Sequence, residues 1–374
     1  MTLVNHQTYL LTPAWNVIGI INGTHPAEAV IIGNHRDAWT ASGAADPHSG
    51  SAALNEVARA LALALARGWK PRRTIILASW DGEEYGLLGS TEWVEDHLPW
   101  LSGAALAYLN IDIGVRGPLF AAAASPLLHP LLHEVTAQIP SPDPSFPGQT
   151  ILDTWNTTIR PLGSGSDFTA FQAHAGVPSL DVGFDADPRG PVYHYHSNYD
   201  SSAWMSRFGD PGDGKGGGAA FARHLAIARL LALLVARLAH DPVPPLDPRA
   251  YARALRQSLQ RLNASLPLHQ REILAPLGPA IAAFRRAGTS PGAANSTRLK
   301  LLDRHFLHAP GLDGRDWFKH VVFAPGRWTG YAGVVFPGIV EALERGDEEG
   351  ARRWVGIVGG CVWGAAGWLE RGGV

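Results

Sequence analysis

Glu83 and Glu84 stand side by side in Asp81-Gly-Glu-Glu84. Adjacent carboxylates repel unless a cation neutralises them or one keeps its proton. A metal site resolves the conflict: one carboxylate ligates and its neighbour takes a proton from the attacking water. Spacing alone does not say which does which, and a solvated turn is the plain alternative. His35 and Asp37 flank Arg36, and side chains two apart on an extended segment share a face. His35 is therefore a candidate ligand, with Asp37 behind the ring as its carboxylate partner. Asp46-Pro-His-Ser-Gly50 reads as a turn entering a helix, where Asp46 serves either the helix start or a metal. Asp112 follows an apolar run and needs a partner. Tyr193-His-Tyr-His196 offers His194 or His196 on one face, and periodicity does not choose between them. Together these residues form the nitrogen and oxygen donor set that zinc accepts, too rich in carboxylates for a single structural tetrahedron. Such a set suits a pair of metals sharing one aspartate. A serine nucleophile is excluded at Gly163-Ser-Gly-Ser-Asp167, where Gly165 occupies the centre of the turn.

These residues must be carried by regular elements. Ala29–Gly33 is a short β-branched run, Thr74–Ser79 another and Ala104–Ile111 a third, and each predicts a buried strand. A fourth strand is predicted at Ser179–Phe184. Helices are predicted over Ser49–Gly68, with Ser49 as cap and Gly68 as stop, and over Leu87–His97, Leu127–Gln138 and Asp167–Ala175. This alternation specifies an α/β fold: a mixed, mostly parallel sheet flanked by helices. His35, Glu83, Glu84 and Asp112 then all follow the carboxyl ends of strands, where such sheets bind ligands. Asp210–Gly218 reads as a loop, and Gly218–His240 as a helix that stops before the proline-rich joint Asp241–Pro248. The joint divides the chain into a catalytic part, 1–242, and a helical part, 243–374. Helices are expected there over Tyr251–Asn263, His269–Ala287 and Ala351–Arg371.

Composition narrows the class. Cys361 is the sole cysteine, which excludes an internal disulfide framework and a thiolate zinc site. The formal net charge of −2 supplies no basic field for nucleic acid. The N-terminus has no basic-then-apolar leader pattern. Phe221–Ala239 carries Arg223, His224, Arg229 and Arg237, so it reads as a core helix and not a membrane span. Sequons at Asn22, Asn156, Asn263 and Asn295 permit glycosylation.

Seven segments carry a resemblance to a known family: WNVIGIING, GNHRDAW, DPHSGSAALNEVAR, GWKPRRTIILASWDGEEYGLLGSTEW, LGSGSDFTAF, YHSNYD and YAGVVFPGI. Running from Trp15 almost to the C-terminus, they resemble the glutamate carboxypeptidase II and transferrin receptor group of aminopeptidase-fold zinc peptidases. The resemblance implies two zinc ions, one held by Asp46, Glu84 and His196 and the other by Asp46, His35 and Asp112. It implies Asp37 behind His35, Glu83 as general base and Tyr195 as support for the oxyanion. Every catalytic position carries the family's residue type, so the resemblance implies a working exopeptidase, with a catalytically silent receptor-like or scaffold homologue as the alternative.

Substrate contacts carried over by the resemblance are Ser164, Gly165, Ser166, Asp181 and Tyr331. Glutamate-specific relatives place arginines on the strand where this chain has Asp181 and Gly183, and a lysine where it has Gly330. An acidic C-terminal residue is therefore expected to meet no cation, so a carboxypeptidase without glutamate preference is expected. Aminopeptidase and dipeptidase action, or cleavage of a non-peptide amide, are the alternatives. Glu92 and Glu95 match two carboxylates of a structural calcium site whose other ligands belong to an upstream region. That region, a protease-associated domain, and a membrane anchor are expected only in the full-length family form, which works in the secretory pathway, in the vacuole or outside the cell. Residues 243–374 resemble the family's dimerisation domain, which implies a homodimer.

Overall fold

Ala29, Val30, Ile31 and Ile32 are wholly buried in strand β2 (His25–His35). Such a continuous apolar run belongs in a sheet covered on both faces. Val30 and Ile32 pack against helix α1 (His48–Ala66) through Ala53, Leu54, Val57 and Leu61. Ala29 and Ile31 turn the other way, onto a cluster with Trp80, Leu101, Phe171 and Val94 of helix α2 (Leu88–Asp96). The period-two alternation of one strand thus serves two cores.

This computed structural model describes residues 1–212 and 221–371. Strands β1 (Val17–Ile21), β3 (Arg73–Trp80), β4 (Ala105–Asn110), β5 (Leu119–Ala124), β6 (Ile159–Arg160) and β7 (Ser179–Asp185) join β2 in one sheet, ordered β1-β3-β2-β4-β7-β5-β6. β3-β2-β4-β7 run parallel; β1 and β5 are antiparallel to their neighbours β3 and β7, and β6 is parallel to β5. The mixed, mostly parallel sheet is as expected from the sequence. Sequence patterning missed β1, β5 and β6: β6 has two residues and β5 reads LFAAAA, a composition that favours helix over strand.

Other local expectations are corrected. Ser49 is not a cap. It lies inside α1, where its hydroxyl donates to the Ala45 carbonyl at 2.6 Å and accepts from the Val115 amide at 3.0 Å. The helix expected over Asp167–Ala175 becomes a wide turn at Ala170–His174, closed by an i→i+5 bond from the Ala175 amide to the Ala170 carbonyl. His269–Ala287 is broken into Leu268–Arg271, a 3₁₀ turn at Glu272–Leu274 and Leu277–Ala287, because Pro276 has no N–H to continue the ladder. Most of the Gly-rich loop and the expected helix start at Gly218 lie outside the described residues; the helix is described over Ala222–His240.

At the end of that helix the buried Arg73 donates to the carbonyls of Leu238, Asp241 and Pro242 and pairs with Glu28 at 2.8 Å. This fixes the chain where the proline-rich joint begins. Beyond it, helices Pro248–Ser265, Leu277–Ala287 and Glu348–Glu370 accompany a small hairpin, β8 (Phe323–Pro325) and β9 (Gly333–Val335). Tyr251, Phe284, Phe306 and Trp354 share one hydrophobic cluster with Val30 and Ile32. Among the described residues no helix is long and apolar enough to cross a membrane.

Candidate metal centre

Parallel pairing of β3, β2 and β4 brings three strand ends to one edge of the sheet. His35 closes β2 opposite Trp80 of β3. The chain then turns through Gly82, at φ +69°, into Glu83 and Glu84. Asp112 lies two residues past the end of β4. Asp46 arrives from the turn before α1, across a cis Asp46–Pro47 bond. His196 comes from the loop after β7 and holds φ at +52°, a conformation uncommon outside glycine.

The five predicted ligands converge as two trios, His35–Asp46–Asp112 and Asp46–Glu84–His196. His35 Nε2 lies 3.0 Å from Asp112 Oδ1 and 3.2 Å from Asp46 Oδ1. His196 Nε2 lies 3.0 Å from Glu84 Oε2 and 3.3 Å from Asp46 Oδ2. Asp46 therefore offers one oxygen to each trio. His194 joins neither, and its ring packs against Tyr199. Glu83 also stays outside both trios, buried beside them.

Asp37 stands behind the His35 ring: its main-chain oxygen lies 3.0 Å from His35 Nδ1 and its carboxylate 3.6 Å. That carboxylate also accepts the amides of Glu83 and Glu84, each at 3.1 Å. A proton on Nδ1, donated to the carbonyl, leaves the Nε2 lone pair facing the carboxylates. Glu84 is fixed further by the Trp39 amide, which donates to Oε1 at 2.8 Å.

The sequence reading passed over Asp200. Its buried carboxylate accepts the Ala45 amide at 2.7 Å, the Asp46 amide at 3.0 Å and the Tyr193 hydroxyl at 3.1 Å. It ties the turn carrying Asp46 to the loop carrying His196, and the only signal was an aspartate ending the quoted segment YHSNYD. Asp200→Ala is expected to weaken zinc binding at least about tenfold. Loss of hydrogen bonds to two buried amides should also lower stability by about 2–3 kcal/mol. Zinc titration and thermal melting check this; values within about twofold and 0.5 kcal/mol of the parent would refute it.

Electrostatics suit a cation. Burial, reinforced by Asp112, pushes the Glu83 carboxyl up to about 10. Burial and Asp46 push Glu84 up to about 7. Asp46 is raised by burial and by Asp112. Burial pulls the His35 imidazole down, but Asp112, Asp37 and Asp46 more than reverse it, so its pKa rises. Asp46 Oδ1 makes no hydrogen bond despite being buried. A crowd of shifted carboxylates around an unbonded buried oxygen and two imidazole nitrogens fits divalent ions.

A cavity of about 690 Å³ opens beside Asp112. Ser164, Gly165, Ser166, Asp181, Tyr195 and Tyr331 all line it. Tyr195 stacks on His196, ring centres 3.6 Å apart, and burial with the nearby Asp46 and Asp112 carboxylates keeps its hydroxyl protonated. Arg116 and Arg160 also line the cavity, which corrects the expectation that an acidic group there meets no cation. Inspection of the β7 strand alone could not reveal them, because they come from the segments before β5 and after Asn156. Arg116 is held by Asp185 at 2.8 Å. Glu92 and Glu95 lie on the exposed face of α2, the Glu95 carboxylate accepts the Trp317 indole N–H, and neither enters a ligand cluster among the described residues.

Comparison with known proteins accords with this arrangement. Residues 16–207 match the description Peptidase family M28, and residues 274–370 match the transferrin receptor-like dimerisation domain. The chain is 41% identical over 393 residues to a probable glutamate carboxypeptidase of Arthroderma benhamiae, covering 99% of this chain and 52% of that protein. It is 34% identical over 394 residues to the aminopeptidase NAALADL1 of Mus musculus, covering 94% of this chain and 51% of that protein. The chain thus spans about half the length of the curated relatives it matches. With the match over the site-bearing half, the resemblance read from seven short segments stands, and this chain belongs to peptidase family M28, joined to a transferrin receptor-like dimerisation domain.

Proposed function

We propose that this protein is a zinc-dependent exopeptidase of carboxypeptidase type, without glutamate specificity. The observation that carries this is the sharing of Asp46 between two ligand trios, one oxygen to each. His35, Asp46 and Asp112 would hold one zinc ion, and Asp46, Glu84 and His196 a second. Two such ions supply an acidified water and positive charge beside the scissile carbonyl.

Glu83, free of both trios, takes the proton of the attacking water on its carboxylate and returns it to the departing amine. The Asp37 carboxylate sets the position of Glu83 through the main-chain bond already described. Tyr195 presents its protonated hydroxyl to the cavity and supports the developing oxyanion. Ser164, Gly165, Ser166, Asp181 and Tyr331 form the substrate wall. Gly330 has no side chain and open space around it, and Asp181 adds an anion, so neither position favours a glutamate side chain. We assign residues 1–242 to catalysis and 243–374 to pairing with a second copy of the chain, with the exposed Asn22 and Asn156 among the sites open to glycosylation.

Hydrolysis of peptides blocked at one end tests the proposal. With zinc added, an N-acetylated peptide should be cleaved and its C-amidated counterpart spared. The reverse pattern would indicate an aminopeptidase. Absence of zinc-dependent cleavage in either would reject the exopeptidase reading, and a clear preference for C-terminal Glu over Leu or Lys would reject the specificity.

A further inference from the structure

One register row crosses the floor of the cavity. Asn110 on β4 lies opposite Asp181 on β7, Asp181 opposite Ala123 on β5, and Ala123 opposite Arg160 on β6. Cross-strand partners share a face of the sheet. Ala121 and Ala123 both line the cavity, and their methyl groups leave room where larger side chains would fill it.

Asp181 is held from below. Trp80 Nε1 donates to the Tyr108 hydroxyl, which donates to Asn110 Oδ1, and Asn110 Nδ2 donates to Asp181 Oδ1, each step at 2.9 Å. Trp80, Tyr108 and Asn110 are all fully buried, so this relay fixes the carboxylate without neutralising it. Among the described residues no cationic side chain forms an ion pair with Asp181. Arg116 is engaged by Asp185. Arg160 sits two strands along the row, and it and Arg116 act on the Asp181 carboxylate through space without an ion-pair contact. Of the other carboxylates lining the cavity, Asp185 is paired with Arg116 and Asp112 belongs to a ligand trio.

A fixed carboxylate with an unused oxygen, at the floor of a cavity cleared by alanines, is built to receive a cation. We infer that Asp181 recognises a primary ammonium group on the substrate residue that enters this cavity. The ammonium has two sources, a free α-amino terminus or a lysine side chain. The inference rests on the exopeptidase reading above and names the class of substrate residue that the site selects. A charge-assisted hydrogen bond in so enclosed a place is expected to favour the charged ligand roughly ten- to a hundredfold over a neutral isostere.

The test measures binding to the zinc-loaded Glu83→Gln protein by calorimetry. One set of N-acetylated peptides carries lysine, norleucine or glutamate in turn on each side of the scissile bond. A second set compares the norleucine peptide with and without its acetyl group. One of the lysine/norleucine or free/acetylated pairs should differ by about tenfold or more, and which pair does so identifies the ammonium source. Asp181→Asn keeps an acceptor oxygen for Asn110 and should bring that ratio close to one. Ratios near one throughout, or a ratio unchanged by Asp181→Asn, would overturn the inference. So would tightest binding of the glutamate peptide, abolished by Arg160→Gln, because Arg160 would then be the reader. Hydrolysis of the norleucine peptide by the unaltered enzyme reports separately on the exopeptidase reading, since the binding ratios do not depend on turnover.

Discussion

Glu83→Gln is expected to lower kcat by about 10²–10⁴-fold while zinc content stays at the parent level. The substitution keeps the size and planarity of the side chain and removes only its ability to take a proton. Glu83 lies outside both ligand trios, so the metal donors are untouched. The main-chain amide of Glu83 still donates to Asp37 Oδ1, so the turn keeps its shape and Glu84 its position. The measurement is kcat and KM on an N-acetylated peptide, with metal counted by elemental analysis on the same sample. Zinc loss in parallel with activity would make Glu83 a ligand, and a fall smaller than about tenfold would remove it from proton transfer.

The second large effect concerns stability without metal. Thermal stability of chelator-treated protein should fall steadily as pH rises from about 5 to about 10. The carboxyl of Glu84 is pushed up to about 7 and that of Glu83 up to about 10. Their ordinary values lie near 4.3, so across this interval the unfolded chain has released protons that the folded chain retains. Stability then declines with pH, by up to about 1.4 kcal/mol per unit for each proton retained. His35, also raised by its carboxylate neighbours, adds a term of the same sign above its ordinary value near 6.5. Asp112 is held below the ordinary carboxylate range by His35 despite its burial, so it acts only at more acidic pH. Zinc should reverse the trend, and the rise in melting temperature on adding it should grow with pH, because ligands must be deprotonated to bind. A flat or rising melting temperature for the metal-free protein, or a zinc increment that shrinks with pH, would contradict this account.

Legibility in the sequence followed the range of the interactions. Strands β2, β3 and β4 announce themselves by local composition, so the placement of His35, Glu83, Glu84 and Asp112 at their ends could be read directly. The choice between His194 and His196 could not be read from periodicity and needed the resemblance. His196 and not His194 stands in the trio with Glu84. The role of Asp200 depends on amides more than 150 positions away, which no local pattern encodes. Arg116 and Arg160 were missed because they reach the cavity from elements other than the strand being compared. Strand β5 was missed because its alanines are chosen for the space they leave and not for strand propensity. Ser49 shows the converse error: a cap-type residue at a helix start was read as a cap, while its hydroxyl serves to join α1 to the segment after β4.

The 163–165 segment has a consequence for how such a protein could be taken apart. A Cβ on Gly163 would lie 1.9 Å from the Tyr331 carbonyl oxygen, and one on Gly165 2.6 Å from the Tyr331 ring. The Ser164 amide donates to that same carbonyl at 3.0 Å. These glycines are the seat into which a loop from the far side of the proline-rich joint is pressed. A wall of the cavity is therefore borrowed from the segment that matches the transferrin receptor-like dimerisation domain. Transplanted onto a foreign partner, the sheet would keep both trios of donor residues, but the cavity beside them would become a trough open along one flank.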